Sequence, residues 1–139
     1  NPVINGYGLV GIVMEAGRDY SIIRTLINSQ MKLIVKNERI GYEGILKWDG
    51  KNLLVTNIPK TAEIKKGDKI ITSKLSSIIT IPASIGTVQR VLNPELGYFN
   101  DIIIKPDVDF YNLKAVFVVK VSNANIPKSL EFRKSNYDN

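Results

Sequence analysis

Hydrophobic residues fall in short runs that are rich in Ile, Val, Leu and Tyr and are bounded by Gly, Pro, Asn and Asp. This pattern is typical of β-strands, because β-branched and aromatic side chains pack well on a pleated surface and turn residues end each run. In the run 42–48, Tyr42, Leu46 and Trp48 fall on one face whereas Glu43 and Lys47 fall on the other, as one-sided burial of a strand requires. Nine strands are predicted, at residues 9–16, 21–27, 32–36, 42–48, 52–57, 69–73, 86–92, 99–105 and 115–121.

These strands predict an all-β fold with two small β-barrel subdomains of the six-stranded type. Residues 1–40 are assigned to a first, partial barrel that residues 115–121 could complete, and residues 41–121 to a second barrel. The order of elements from residue 9 is echoed from residue 84, either by internal duplication or by chance similarity among β-rich segments. Residues 122–139 are predicted to be a disordered C-terminal tail.

Two local predictions concern the stretch before that tail. Residues 115–119 are apolar throughout, which predicts a strand covered on both faces. Residues 107–113 are predicted to form a single helical turn that Asp107 or Asp109 caps.

The composition argues against catalysis. The chain has 139 residues, 44% of them hydrophobic, which is enough for a buried core. It contains 0 His and 0 Cys, so it lacks the usual general base, the commonest metal ligand, cysteine nucleophiles and disulfides. The chain contains no run of eighteen apolar residues, so no membrane span is predicted. The net charge of +6 is spread along the chain, which is typical of a solvated surface. We therefore expect a protein that is not an enzyme and binds no cofactor or metal.

Three motifs resemble chemical sites but lack the required context. Residues 6–11 match the dinucleotide fingerprint Gly-x-Gly-x-x-Gly, yet a strand pattern follows instead of a helix, so they indicate a turn that enters a strand. Residues 29–32 have the Ser-x-x-Lys spacing of a serine nucleophile, but the serine lies in an Asn-Ser turn. Asp101, Asp107 and Asp109 could suggest a hard cation, although capping and turn formation explain them better.

A series of short strands separated by turns resembles the sequence pattern of a known family. In this chain, turns that contain Gly come before short β-branched strands. The segments and residues that carry the resemblance are Asn5–Gly11, Trp48-Asp49-Gly50-Lys51, Lys65-Lys66-Gly67-Asp68, Ile70-Ile71-Thr72-Ser73, Pro82, Gly86 and Val88. In this order they resemble the rod-shape-determining protein MreC family, over residues 8–119. The chain departs from the family pattern at 74–77 and 83–84, where it lacks the usual glycines.

The resemblance implies a non-enzymatic scaffold of the bacterial cell-elongation complex, which binds and organises peptidoglycan synthases to maintain rod cell shape. It implies a location on the periplasmic face of the inner membrane, reached through an anchor outside these residues. The implied partners are the elongation-specific class B penicillin-binding transpeptidase, MreD, further copies of the chain, and MreB through an N-terminal part that is also outside these residues. No nucleic acid is expected.

Apolar residues near turns are the candidates for partner binding, because aromatic and branched side chains on a barrel rim are enriched at interfaces. They are Tyr98, Phe99, Phe110, Tyr111, Ile78, Ile79 and Ile81. Each would belong to the core instead if its side chain points inward. The alternative function is a nucleic-acid-binding barrel of the OB or SH3-like type, which a pI of about 9.5 and scattered aromatic residues suggest.

Overall fold

The computed structural model describes residues 1–76, 79 and 81–120, and within that part of the chain every regular element is a strand. The strands, in chain order β1 to β10, are Pro2–Ile4, Leu9–Ala16, Ser21–Thr25, Lys32–Asn37, Glu43–Trp48, Leu53–Pro59, Lys69–Thr72, Ser84–Leu92, Phe99–Pro106 and Phe117–Val118. The all-β prediction is confirmed.

Six strands close into an antiparallel barrel in the order β4-β5-β6-β9-β8-β7. Pairing of Val35 with Thr72 and of Asn37 with Ile70 joins β4 to β7 and completes the ring, so no barrel strand keeps a free edge. A closed barrel of the six-stranded type is therefore confirmed. Strand β4 pairs only with β5 and β7, so residues 32–37, which the sequence placed in the first unit, lie in the barrel.

The other four strands form a sheet in the order β10-β1-β2-β3, which is open in the described part of the chain. Strand β1 was not predicted, since its three residues are too few to show a pattern. It pairs with β10 through Val3 and Val118, so residues near the end of the described chain join the first unit. The prediction of a strand at 115–119 covered on both faces is wrong, because β10 is a two-residue edge strand with exposed side chains.

A turn replaces the helical turn that was predicted for residues 107–113. The Asn112 amide donates to the Asp109 carbonyl at 3.3 Å, and the Tyr111 amide donates to the Asp109 carboxylate at 3.1 Å. Asp109 therefore stabilises a turn rather than the start of a helix.

One hydrophobic core extends from the open sheet into the barrel. Side chains alternate along β4, so that Leu33 and Val35 point inward while Lys32 is exposed. Leu9 and Leu26, which come from the open sheet and the segment after it, are completely buried in the same cluster as the barrel residues. The sheet and the barrel are thus packed as one body.

Glycines allow two close approaches of the backbone, one between the open sheet and the barrel at Gly8 and one between β2 and β3 at Gly11. A Cβ atom on Gly8 would lie 2.6 Å from the Ser84 carbonyl oxygen, and one on Gly11 would lie 2.0 Å from the Arg24 carbonyl oxygen. The Asn5 carboxamide accepts hydrogen bonds from the amides of Tyr7 and Gly8. The glycine motif at residues 6–11 is therefore a turn that enters β2, and the amides of Tyr7 and Gly8 are already hydrogen-bonded within that turn.

Candidate interaction surface

The tip of the β8–β9 hairpin exposes three large apolar side chains. Leu96 is 88% exposed, Tyr98 85% and Phe99 51%. We call these three residues the hairpin surface. Clustered exposed apolar groups on a folded protein mark sites where another molecule binds. Tyr98 and Phe99 were predicted from the sequence, whereas Leu96 was missed. A leucine inside the turn segment Pro94-Glu95-Leu96-Gly97, where polar residues are usual, was the signal that could have found it.

Contacts to the end of β6 hold this hairpin tip in place. The Lys60 amide donates to the Tyr98 carbonyl at 2.9 Å, and the Lys60 ammonium donates to the Pro94 carbonyl. Gly97 has a φ of 96°, which an L side chain rarely adopts. Because the backbone is held at both Pro94 and Tyr98, it needs little ordering when the loop binds a partner.

The structure does not bring all the predicted binding residues together. Phe110 and Tyr111 follow the far end of β9, a strand of eight residues, so about 23 Å of strand separates them from the hairpin surface. Phe110 is half-buried against the core, whereas Tyr111 is 85% exposed.

The isoleucines between β7 and β8 are divided between core and surface. Ile79 is 1% exposed and belongs to the main core cluster, whereas Ile81 is 55% exposed. Ile78 lies outside the described residues. Ile79 is therefore placed as a core residue, which was the alternative stated for this segment, and it presents no surface to a partner.

A buried carboxylate, Asp68, pairs with an arginine and joins the turn before β7 to the turn after β4. Asp68 and Arg39 form two hydrogen bonds of 2.9 Å, from Nε to Oδ1 and from Nη2 to Oδ2. The Asn37 carboxamide and the Lys65 amide each add a bond of 2.9 Å to Oδ2. The Arg39 guanidinium, together with the backbone and amide donors, holds the pKa of Asp68 well below its usual range. These four bonds join the end of β4 and the turn after it to the turn before β7, so the network holds these segments together.

The remaining acidic candidates are also used locally. Asp107 accepts a hydrogen bond from the Ser84 hydroxyl, and Asp109 stabilises its own turn. Among the residues that the structure describes, no three His, Cys, Asp or Glu side chains are grouped so that they could hold a metal ion. Ser29 lies in a turn and Lys32 begins β4, so the Ser-x-x-Lys spacing falls across a turn and a strand.

Across the described chain, no helix has the length and the apolar character that crossing a bilayer requires.

The fold and this surface define a class: an antiparallel β-barrel that shares its core with a small sheet and exposes apolar side chains at a hairpin tip. Residues 1–120 match the family model described as "Rod shape-determining protein MreC, barrel core". The chain therefore belongs to the MreC family, which determines cell shape.

Two curated relatives are both described as cell shape-determining protein MreC. The protein from Listeria monocytogenes is 32% identical over 121 residues, which are 83% of this chain and 41% of the relative. The protein from Haemophilus influenzae is 27% identical over 129 residues, which are 91% of this chain and 37% of the relative. The chain thus spans about two fifths of the length of these relatives.

Solved structures agree with the fold. The crystal structure of MreC from Pseudomonas aeruginosa matches with a TM-score of 0.75 at 25% identity, over 83% of this chain and 76% of that one. A complex between a penicillin-binding protein and MreC from Helicobacter pylori matches with a TM-score of 0.66 at 17% identity, over 78% of this chain and 68% of that one. At that identity, the second likeness concerns the fold alone.

Proposed function

We propose that this chain is the barrel part of a non-enzymatic scaffold, which organises peptidoglycan synthases during cell elongation. The observation that carries the proposal is the hairpin surface, because it offers exposed apolar anchors on a rigid barrel. Membership of the MreC family supports the same role. A relative from Helicobacter pylori has been solved in complex with a penicillin-binding protein, which supports a class B penicillin-binding transpeptidase as the partner.

The hairpin surface has the properties of an interface centre. Burying a leucine or tyrosine side chain stabilises a complex by about 1.5–3 kcal/mol before other costs. Tyrosine adds a hydroxyl that can bind across an interface, and its two torsions are inexpensive to fix. The two Lys60 hydrogen bonds keep the loop ordered before binding. Leu96 and Tyr98 are therefore the anchors we expect to contribute most.

The other partners are proposed from family membership alone. They are MreD, further copies of the chain, MreB through an N-terminal part, and the inner membrane through an anchor, with the barrel on the periplasmic side. Self-association would use an unpaired strand edge of the open sheet, since an edge such as that of β3 can accept another strand.

The test is a binding measurement with the extracytoplasmic domain of the transpeptidase. Replacing Leu96 and Tyr98 together by serine should weaken binding by at least about thirtyfold, equivalent to roughly 2 kcal/mol. The melting temperature should stay close to that of the wild type, because both side chains are exposed. The matched control is Tyr111→Ser, which removes an equally exposed tyrosine from the other end of β9.

Unchanged affinity of the double variant would contradict the proposal, as would an equal loss in Tyr111→Ser. The alternative of a nucleic-acid-binding barrel is tested in parallel by fluorescence anisotropy with single-stranded oligonucleotides. We expect no signal at low salt, where phosphate contacts are strongest.

A further inference from the structure

A groove runs along the junction between the barrel and the segment that follows β9. Its volume is about 430 Å³, within the range of roughly 300–1,000 Å³ that is usual for ligand sites. A second cleft of about 310 Å³ shares Lys51, Asn52 and Gln89 with it and continues along the barrel wall. We call the first cleft the junction groove; the lining residues that matter below are Trp48, Asn52, Gln89, Asp107, Asp109 and Tyr111.

Three aromatic rings, those of Trp48, Phe110 and Tyr111, line the junction groove. Trp48 and Phe110 are partly buried and pack against the main core, so their rings are fixed in place. Tyr111 is 85% exposed on the turn that Asp109 stabilises. The groove therefore combines two immobile rings with one accessible ring, which suits the apolar face of a flat, otherwise polar ligand.

Two side-chain amides are directed to this site by local backbone features. Gln89 is the extra residue of a β-bulge between Val88 and Arg90, and bulges commonly re-aim a side chain. Asn52 ends the turn in which its amide donates to the Asp49 carboxylate at 2.6 Å. Within residues 1–76, 79 and 81–120, neither carboxamide makes a hydrogen bond to another residue of the chain. Both are available to a ligand.

Charges of both signs surround these amides. Lys51 and Lys105 line the groove together with Asp107 and Asp109. A binding site for an acidic polymer would be lined by positive charges alone, whereas this groove is lined by both lysines and aspartates. Addition of an extended peptide as a new strand is also unsuited, because β6, β9 and β8 are each paired on both sides in the closed barrel.

We propose that the junction groove binds a saccharide strand. Sugar hydroxyl and acetamido groups both donate and accept hydrogen bonds, as do the two carboxamides, while the carboxylates accept and the ammonium groups donate. The C–H face of a pyranose ring is apolar and packs on an aromatic side chain. This activity goes beyond the proposed scaffold role and does not depend on the hairpin surface, which lies at the other end of β9.

The test uses the single tryptophan of the chain as the reporter. The full chain is titrated with the β-1,4-linked tetramer of N-acetylglucosamine while Trp48 emission is followed. We expect a saturable change with a dissociation constant of about 1 mM or tighter. Tyr111→Ala and Gln89→Ala should each weaken binding by about three- to tenfold, the range expected from losing one ring contact or one hydrogen bond.

Tyr98→Ala is the matched control, because Tyr98 has the same exposure as Tyr111 but lies at the hairpin surface. It should bind the tetramer as the wild type does, and circular dichroism should show the same fold in all three variants. A change that does not saturate, an equal loss in Tyr98→Ala, or comparable binding of polyglutamate would each overturn the proposal. Transpeptidase binding is a separate measurement that depends on Leu96 and Tyr98, so failure to bind the tetramer leaves the scaffold proposal separately testable.

Discussion

Replacing Asp68 with asparagine removes the charge that Arg39 binds while keeping the size of the side chain. Asp68 accepts four hydrogen bonds of 2.9 Å, two of them from Arg39. Asparagine has one acceptor oxygen. At the Oδ2 position it would keep three of these bonds without the carboxylate charge and lose the bond from Arg39 Nε, whereas at the Oδ1 position it would keep only that one. Hydrogen bonds to charged groups contribute roughly 1.5–3 kcal/mol each, but the Arg39 side chain is 42% exposed, which weakens its share. We expect a loss of about 2–3 kcal/mol at pH 7.

The same contacts make this loss depend on pH. The pKa of Asp68 is lowered in the folded state, chiefly by the Arg39 hydrogen bonds, from about 3.9 in an unfolded chain. The carboxylate therefore stabilises the fold fully above about pH 5, and the contribution is lost as the pH falls below about 4. Asp68→Asn has no such proton to bind, so the difference between the two proteins should shrink in acid.

Urea unfolding at pH 7 and pH 3 measures both effects. With a urea m-value of about 2 kcal/mol/M, the midpoint of Asp68→Asn should fall by roughly 1 M at pH 7. Asp19→Asn, which changes an exposed carboxylate in the β2–β3 turn, should shift it little. An equal difference between wild type and Asp68→Asn at both pH values would refute the argument that the charge of Asp68 supplies the stabilisation.

Two further predictions concern the core and the close approach of strands. Trp48→Ala should lower the free energy of unfolding by about 3 kcal/mol, the low end for this substitution because the ring is only partly buried; melting like that of the wild type would contradict its placement. Gly11→Ala should cost at least about 2 kcal/mol by thermal unfolding, since its Cβ would lie 2.0 Å from the Arg24 carbonyl oxygen. Gly6→Ala, where no atom lies within 4 Å of the added Cβ, should be nearly neutral, and similar losses in both would refute the steric argument.

The sequence predicted strands best where a β-branched run is bounded by turn residues. Strand β2 begins and ends at the predicted residues, Leu9 and Ala16. The sequence could not predict β1, because three residues carry no periodicity and their pairing with Val118 depends on the distant end of the chain. Long-range pairing also explains why β4 was assigned to the first unit instead of the barrel. Its alternation predicts a strand, but not which sheet the strand joins.

The candidate surface was predictable in part. Tyr98 and Phe99 stand out as adjacent aromatics before a strand, whereas Leu96 looks like an ordinary apolar residue until its turn is seen to project outward. Ile79 and Ile81 are two positions apart yet differ completely in exposure, because neither lies in a strand, where residues two apart would share a face. The Arg39–Asp68 pair joins residues 29 positions apart, and only the folded barrel brings them together.

Pairing of β1 with β10 has a mechanical consequence. Asn1 and Lys120 leave the sheet side by side, since Val3 lies opposite Val118 and the Val119 amide donates to the Pro2 carbonyl. Tension applied between these two positions would peel this short ladder apart one hydrogen bond at a time, instead of shearing it. The closed barrel, enclosed between them along the chain, would carry load only after that ladder had opened.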